Sequence, residues 1–157
     1  MGNKIEISYN KTLKLTNALV VSADVDDFAA FGNIVEKMDN YIRSKGALPI
    51  GPIIHKTTYI VDDEGQPGIK TYFIRQSNNF IHNVDSPYKM ESVIRVSNCM
   101  YAHYVGPEEK TKLAYDKIDI VAFEENIELS NEVYAILVGQ HDDENVITDV
   151  FVQKSDT

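Results

Sequence analysis

Hydrophobic positions in this chain switch between a two-residue and a three-to-four-residue spacing, the periods that separate strands from amphipathic helices. Leu13 to Val25 holds the run Ala18-Leu19-Val20-Val21 with alternation on either side and predicts a strand. Asp26-Asp27 then read as a helix start, acids set against the positive end of the helix dipole. Phe28, Phe31, Val35, Met38 and Ile42 follow in steps of three and four and line one helix face. Arg43 and Lys45 fall in the last turn, and Gly46 is the expected cap.

Gly51-Pro52 opens a strand rich in Ile, Thr and Tyr that runs to Val61. The segment from Asp62 to Gly68 has turn composition, and Ile69 to Gln76 returns as the second strand of a hairpin. Ser77 to Met90 reads as a surface loop. Residues 91–105 are strand-like again, with a break expected at Ser97-Asn98. Gly106-Pro107-Glu108-Glu109 resembles a helix start with Pro at the first helical position. Ala114, Ile118, Val121 and Ala122 supply the apolar side of that helix. Glu132 to Val138 and Val146 to Gln153 form a closing hairpin.

The two halves follow one plan. An offset of 80 residues places Val20 on Met100, Asp26 on Gly106 and Ile53 on Val133. The expected fold is α+β: duplicated β-α-β-β units with pseudo-twofold symmetry, mainly antiparallel sheet with two helices packed on one side. A single domain over residues 1–157, with its core at about 13–153, fits the length. Two such halves would leave a groove between them, the kind of concavity where small molecules bind.

Composition narrows the functions. Twenty-four acids against fifteen bases give a net charge of −9, which opposes a phosphate backbone, so direct nucleic-acid binding is not expected. The field suits cationic ligands or a basic protein surface, although solubility alone accounts for it equally well. The lone cysteine, Cys99, can form no internal disulfide, which fits a reducing compartment. Met1 to Asn10 lacks the apolar stretch of a signal peptide, and no apolar run approaches the ~20 residues of a membrane span. The expected location is cytoplasmic.

No motif for nucleotide, phosphate or acyl-enzyme chemistry is present. His55, His82, His103 and His141 lack metal-ligand spacing, so no metal and no cofactor are expected. A general-base role for His55 or His103 has no nominated partner. Cys99 has no basic neighbour to lower its pKa and reads as buried and inert. The acidic turns Asp62-Asp63-Glu64 and Asp142-Asp143-Glu144 lack calcium-loop spacing and read as solvated. Tyr59, Tyr72, Phe73 and Tyr101 lie on expected strands; such rings are either core or the wall of a cation-accepting site. Strand alternation puts Glu132 and Tyr134 on one face and Val133, Ala135 and Leu137 on the other. Glu132 is then either a solvated edge acid or a groove residue.

The order of these segments resembles the gyrase-inhibitor-like domains, which also serve as effector-binding modules of AraC-type and MerR-type transcription activators. The resemblance rests on Leu19-Val20-Val21, Ile42-Arg43-Ser44-Lys45-Gly46, Leu48-Pro49 and Gly51-Pro52 in the first half. In the second half it rests on Tyr101 to Pro107, Glu132-Val133-Tyr134 and Ile147 to Val152. It implies a groove site in which Glu132 meets a cationic or aromatic ligand and Tyr134 stacks on it. Tyr104 departs from the family, which commonly has His there. No helix-turn-helix segment precedes the domain, so the resemblance implies a stand-alone member.

Three readings follow. The first is a small-molecule-binding protein that senses or sequesters an aromatic or cationic ligand through Glu132, Tyr134, Tyr101, Tyr59 and Tyr72. The second is a module that binds a partner protein. The third is a small-molecule hydrolase in which Glu132 orients water.

Overall fold

The computed structural model describes residues 5–23 and 31–155. Its elements are β1 (Ile7–Ala23), α1 (Phe31–Ser44), β2 (Pro49–Val61), β3 (Pro67–Ser77), β4 (Lys89–Gly106), α2 (Lys112–Glu124), β5 (Leu129–Gln140) and β6 (Val146–Lys154). The class is α+β, as the period changes imply. The expected helix start at Asp26, Asp27 and Phe28 lies outside the described residues.

The chain divides into two compact units, one of Lys14–Arg95 and one of Val96–Thr157 with the stretch up to Leu13. In the first unit β3 is the middle strand, antiparallel to both β1 and β2. In the second, β6 is the middle strand, antiparallel to both β4 and β5. Each unit is therefore strand, helix and hairpin, with the hairpin's second strand in the centre.

The helices cover one sheet face within each unit. Ala114, Ile118 and Ala122 on α2 interlock with Met100, Ala102, Tyr104, Val133, Val150 and Val152. On α1, Met38 and Ile42 are fully buried. Phe31 meets Phe73 edge-on at 5.2 Å, and Asp39 pairs with Arg75 Nε at 3.0 Å. The second-unit core also takes in Ile5 and Ile7, just before and at the start of β1, which begins six residues before the strand expected at Leu13. The polar alternation around these two isoleucines hides that strand in the sequence.

Both helices end in the same device. The Ala47 N–H reaches back to Ile42 O at 3.2 Å and Gly46 N–H to Arg43 O at 3.0 Å; Ile127 bonds Ala122 O at 2.8 Å and Asn126 bonds Phe123 O at 3.3 Å. Gly46 sits at φ 81° and Asn126 at φ 56°, the left-handed residue such a cap needs. Pro107 is extended and lies just outside a single tight turn, Glu108–Lys110, that precedes α2, rather than at the first helical position.

The outer strands carry matching kinks. Asn17 (φ 47°) and Asn98 (φ 58°) each stand immediately before the first residue paired with the unit's middle strand, Ala18 opposite Gln76 and Cys99 opposite Gln153. Gln76 Oε1 accepts the Thr16 N–H at 3.0 Å, and Gln153 Nε2 donates to Ser97 O at 2.9 Å. Each glutamine thus satisfies a backbone group that the kink removes from the ladder. The break expected at Ser97-Asn98 is this kink inside a continuous β4.

The acidic hairpin turns are matched too. Asp62 Oδ1 accepts the N–H groups of Glu64 and Gln66, and Asp142 Oδ1 those of Glu144 and Asn145. These carboxylates close turns. The loop after β3 is held on α1, where Tyr88 stacks on Tyr41 at 4.5 Å and Lys45 pairs with Asp85 at 3.5 Å.

Candidate functional site

The sheet face of the second unit that α2 leaves uncovered carries most of its chemistry. In β4, Tyr101 lies opposite Phe151 and His103 opposite Asp149; in β5, Tyr134 lies opposite the same Phe151 and Ile136 opposite the same Asp149. Alternation then places Tyr101, Phe151 and Tyr134 in one row across the three strands, with His103, Asp149 and Ile136 in the next row. Glu132, two residues before Tyr134, shares that face.

The first row is aromatic. The Tyr101 and Phe151 rings lie 4.8 Å apart at 40°, a tilted contact within the range of favourable ring pairs. Tyr134 is only 4% exposed and donates its hydroxyl to Glu132 Oε2 at 3.2 Å. Burial, the Glu132 charge and that hydrogen bond all raise its phenol pKa above the ordinary value. Glu132 is therefore no isolated edge acid: its carboxylate is tied to the ring beside it.

The second row is polar. Asp149 Oδ1 accepts the Tyr101 hydroxyl at 2.8 Å and lies 2.6 Å from His103 Nδ1. The hydroxyl is also 3.4 Å from that nitrogen. Burial, then the hydrogen bond and charge of Asp149, raise the Tyr101 phenol pKa. A carboxylate that accepts from Nδ1 fixes the imidazole tautomer and leaves Nε2 as the basic nitrogen.

Of the five residues singled out in the sequence, the structure brings Glu132, Tyr134 and Tyr101 onto this one face. Tyr72 belongs to the first unit, on the face α1 leaves uncovered, opposite Lys56, whose Nζ is 5.4 Å from its ring centre. Tyr59 lies on the other face of β2, opposite Ile69, and is half exposed. His103 gains the partner that sequence reasoning could not name, because Asp149 is 46 residues away and only the β4–β6 register joins them. Phe151 read as part of a strand, with no sign that two tyrosines flank it.

Tyr104, at the departing family position, belongs to the other side of β4. It is 4% exposed and donates to Pro107 O at 2.6 Å. A Cβ on Gly106 would lie 2.5 Å from its hydroxyl, so glycine there follows from that close approach. Cys99 is buried, and burial raises its thiol pKa, in keeping with an inert role. Among the described residues no three His, Cys, Asp or Glu side chains gather as a metal-binding group, and no helix is long and apolar enough to cross a membrane.

No family model and no curated protein matches this sequence. Solved structures do. The C-terminal domain of EcmrR is similar over 98% of both chains, with a TM-score of 0.71 at 13% identity. Against the EcmrR chain in its DNA complex the TM-score is 0.72 at 15% identity, and this chain spans 58% of that one. A hydrolase encoded by lin2189 from Listeria innocua matches at TM-score 0.58 and 14% identity, over 97% of this chain and 92% of that one. SAV2435 bound to tetraphenylphosphonium matches at TM-score 0.53 and 12% identity, over 98% and 94%. At these identities the likeness is one of fold.

Proposed function

We propose that this chain is a small-molecule-binding domain whose ligand is an aromatic cation, held on the second-unit face that α2 leaves uncovered. The observation that carries the reading is the row Tyr101, Phe151 and Tyr134 with a carboxylate at each side, Glu132 and Asp149. Ring faces attract cations, by about 0.5–2 kcal/mol according to desolvation, and buried aromatic area adds to the grip on a ligand's rings. A carboxylate already hydrogen-bonded to a phenol keeps its orientation when a cation arrives, which reduces the ordering cost of binding. The tetraphenylphosphonium complex of SAV2435 and the effector-binding role implied by the resemblance support the same ligand class. Tyr72 and Tyr59 are not needed for this reading.

Calorimetric titration with tetraphenylphosphonium, and with neutral triphenylphosphine oxide as a control of related shape, tests it. Glu132→Gln keeps the volume and removes the charge. It should weaken the cation by about 10-fold through the lost charge–charge attraction, since tetraphenylphosphonium has no hydrogen-bond donor, and leave the neutral compound nearly unchanged. Equal affinity of wild type and Glu132→Gln for the cation would make Glu132 a structural partner of Tyr134 only.

A second reading, partner-protein binding, draws on the outward side of α2. Leu113, Ile120 and Phe123 are 51%, 52% and 84% exposed there, opposite the buried stripe of Ala114, Ile118 and Ala122. Phe123→Ser should leave ligand titrations unchanged and abolish any interaction of this kind.

A further inference from the structure

From the geometry of the second row we infer that His103 and Asp149 form a general-base dyad, able to hydrolyse aryl esters whose ring rests on Tyr101 and Phe151. The inference shares the aromatic row and Asp149 with the binding proposal and does not use Glu132.

Three observations converge on it. The 2.6 Å contact between His103 Nδ1 and Asp149 Oδ1 orients the imidazole and holds the proton on Nδ1, which leaves the Nε2 lone pair available. His103 makes no hydrogen bond through Nε2 among the described residues, and its side chain is 52% exposed, so water reaches it. The Tyr101 hydroxyl lies 3.4 Å from the imidazole, while the Tyr101 ring packs on Phe151. A flat ring on that pair therefore brings a substituent to the edge of His103. A surface ion pair needs only the first of these features; a base needs all three.

The reaction balances without a cofactor. Nε2 takes a proton from water as the water oxygen bonds to the acyl carbon. The carbon–oxygen bond to the aryl group then breaks, and the Nε2 proton passes to the departing phenolate oxygen. The products are a carboxylic acid and a phenol, and the imidazole is restored. His103 is the catalytic residue; Asp149 acts through it, as a positioning residue.

The test uses para-nitrophenyl acetate with the full chain, and free methylimidazole as the reference for unassisted imidazole chemistry. The wild-type second-order rate constant should exceed that of methylimidazole by about 100-fold, the lower end of positioned general-base catalysis. His103→Gln should fall to the buffer rate, whereas His141→Gln, altered in an exposed turn, should match wild type. Asp149→Asn should lower kcat about 10-fold at unchanged KM, and Tyr101→Ala should raise KM. If His103→Gln does not fold, carbethoxylation of folded wild type by diethyl pyrocarbonate gives the same readout, with His141→Gln treated in parallel. A wild-type rate equal to methylimidazole, or a His103→Gln rate equal to wild type, overturns the inference. Tetraphenylphosphonium titration of the same samples keeps the two proposals apart: hydrolysis without cation binding sinks the binding proposal alone, and cation binding without hydrolysis sinks this one alone.

Discussion

The two units place different chemistry on the same frame. At matching sheet positions the second unit has Tyr101, His103, Phe151, Asp149 and Tyr134 where the first has Val20, Ser22, Ile74, Tyr72 and Ile54. Kinks, glutamine clamps, helix caps and aspartate turns recur in both. What differs is the face that each helix leaves uncovered: aliphatic with a serine, a lysine and a tyrosine in the first unit, aromatic and acidic in the second. The frame is set by backbone requirements, which both units share. The face is free of those requirements, and there the two units diverge.

Removing core volume should produce the largest effects, and they should be similar in the two units. Ile118→Ala and Met38→Ala each empty a fully buried helix position and should destabilise by about 2–5 kcal/mol in denaturant titrations. A near-zero value for either would mean that the two helices do not serve the same packing role. Binding should separate the units instead. Tyr101→Ala should weaken tetraphenylphosphonium by about 10-fold or more, and Tyr72→Ala by less than about 3-fold. Equal losses would erase the proposed asymmetry.

Smaller effects probe the frame. Gln76→Ala and Gln153→Ala each leave a backbone group at a kink without its side-chain partner, and each should lose about 1 kcal/mol. A loss in one variant alone would show that the kinks are not energetically equivalent. His55, stacked on Phe73 at 5.1 Å, is an acid-sensitive feature of the first unit; Ala135 holds the matching position in the second. Burial pushes the His55 imidazole below its ordinary pKa. The unfolded chain therefore binds a proton that the folded chain resists, so stability is present above about pH 6.5 and declines as pH falls below it. The melting temperature of His55→Gln should fall less steeply than that of wild type over that range; parallel curves would remove His55 as the cause.

Much of the frame was legible in the sequence because it depends on local periodicity and turn chemistry. The α1 stripe through Met38 and Ile42, the Gly46 cap and both hairpins follow from spacing and residue type alone. Asn126 was missed as a cap because asparagine is a weaker signal than glycine, and Ile7 because the first part of its strand is mostly polar. The site was legible only in part. Glu132 and Tyr134 are neighbours two residues apart on one strand, so alternation reveals their shared face. The joining of Tyr101 to Phe151 and of His103 to Asp149 depends on the β4–β6 register, which no local pattern encodes. Tyr59 and Tyr72 were grouped because both are strand tyrosines, yet the β2–β3 register puts them on opposite faces.

An aromatic-proton NMR titration with tetraphenylphosphonium tests the central claim most directly, with ring resonances assigned through single Tyr→Phe and Phe→Leu variants. The largest shifts should fall on Tyr101, Phe151 and Tyr134, and Glu132→Gln should require about 10-fold more ligand to produce them. Saturable binding that leaves those three rings unmoved would place the ligand elsewhere and contradict the assignment of function to this face.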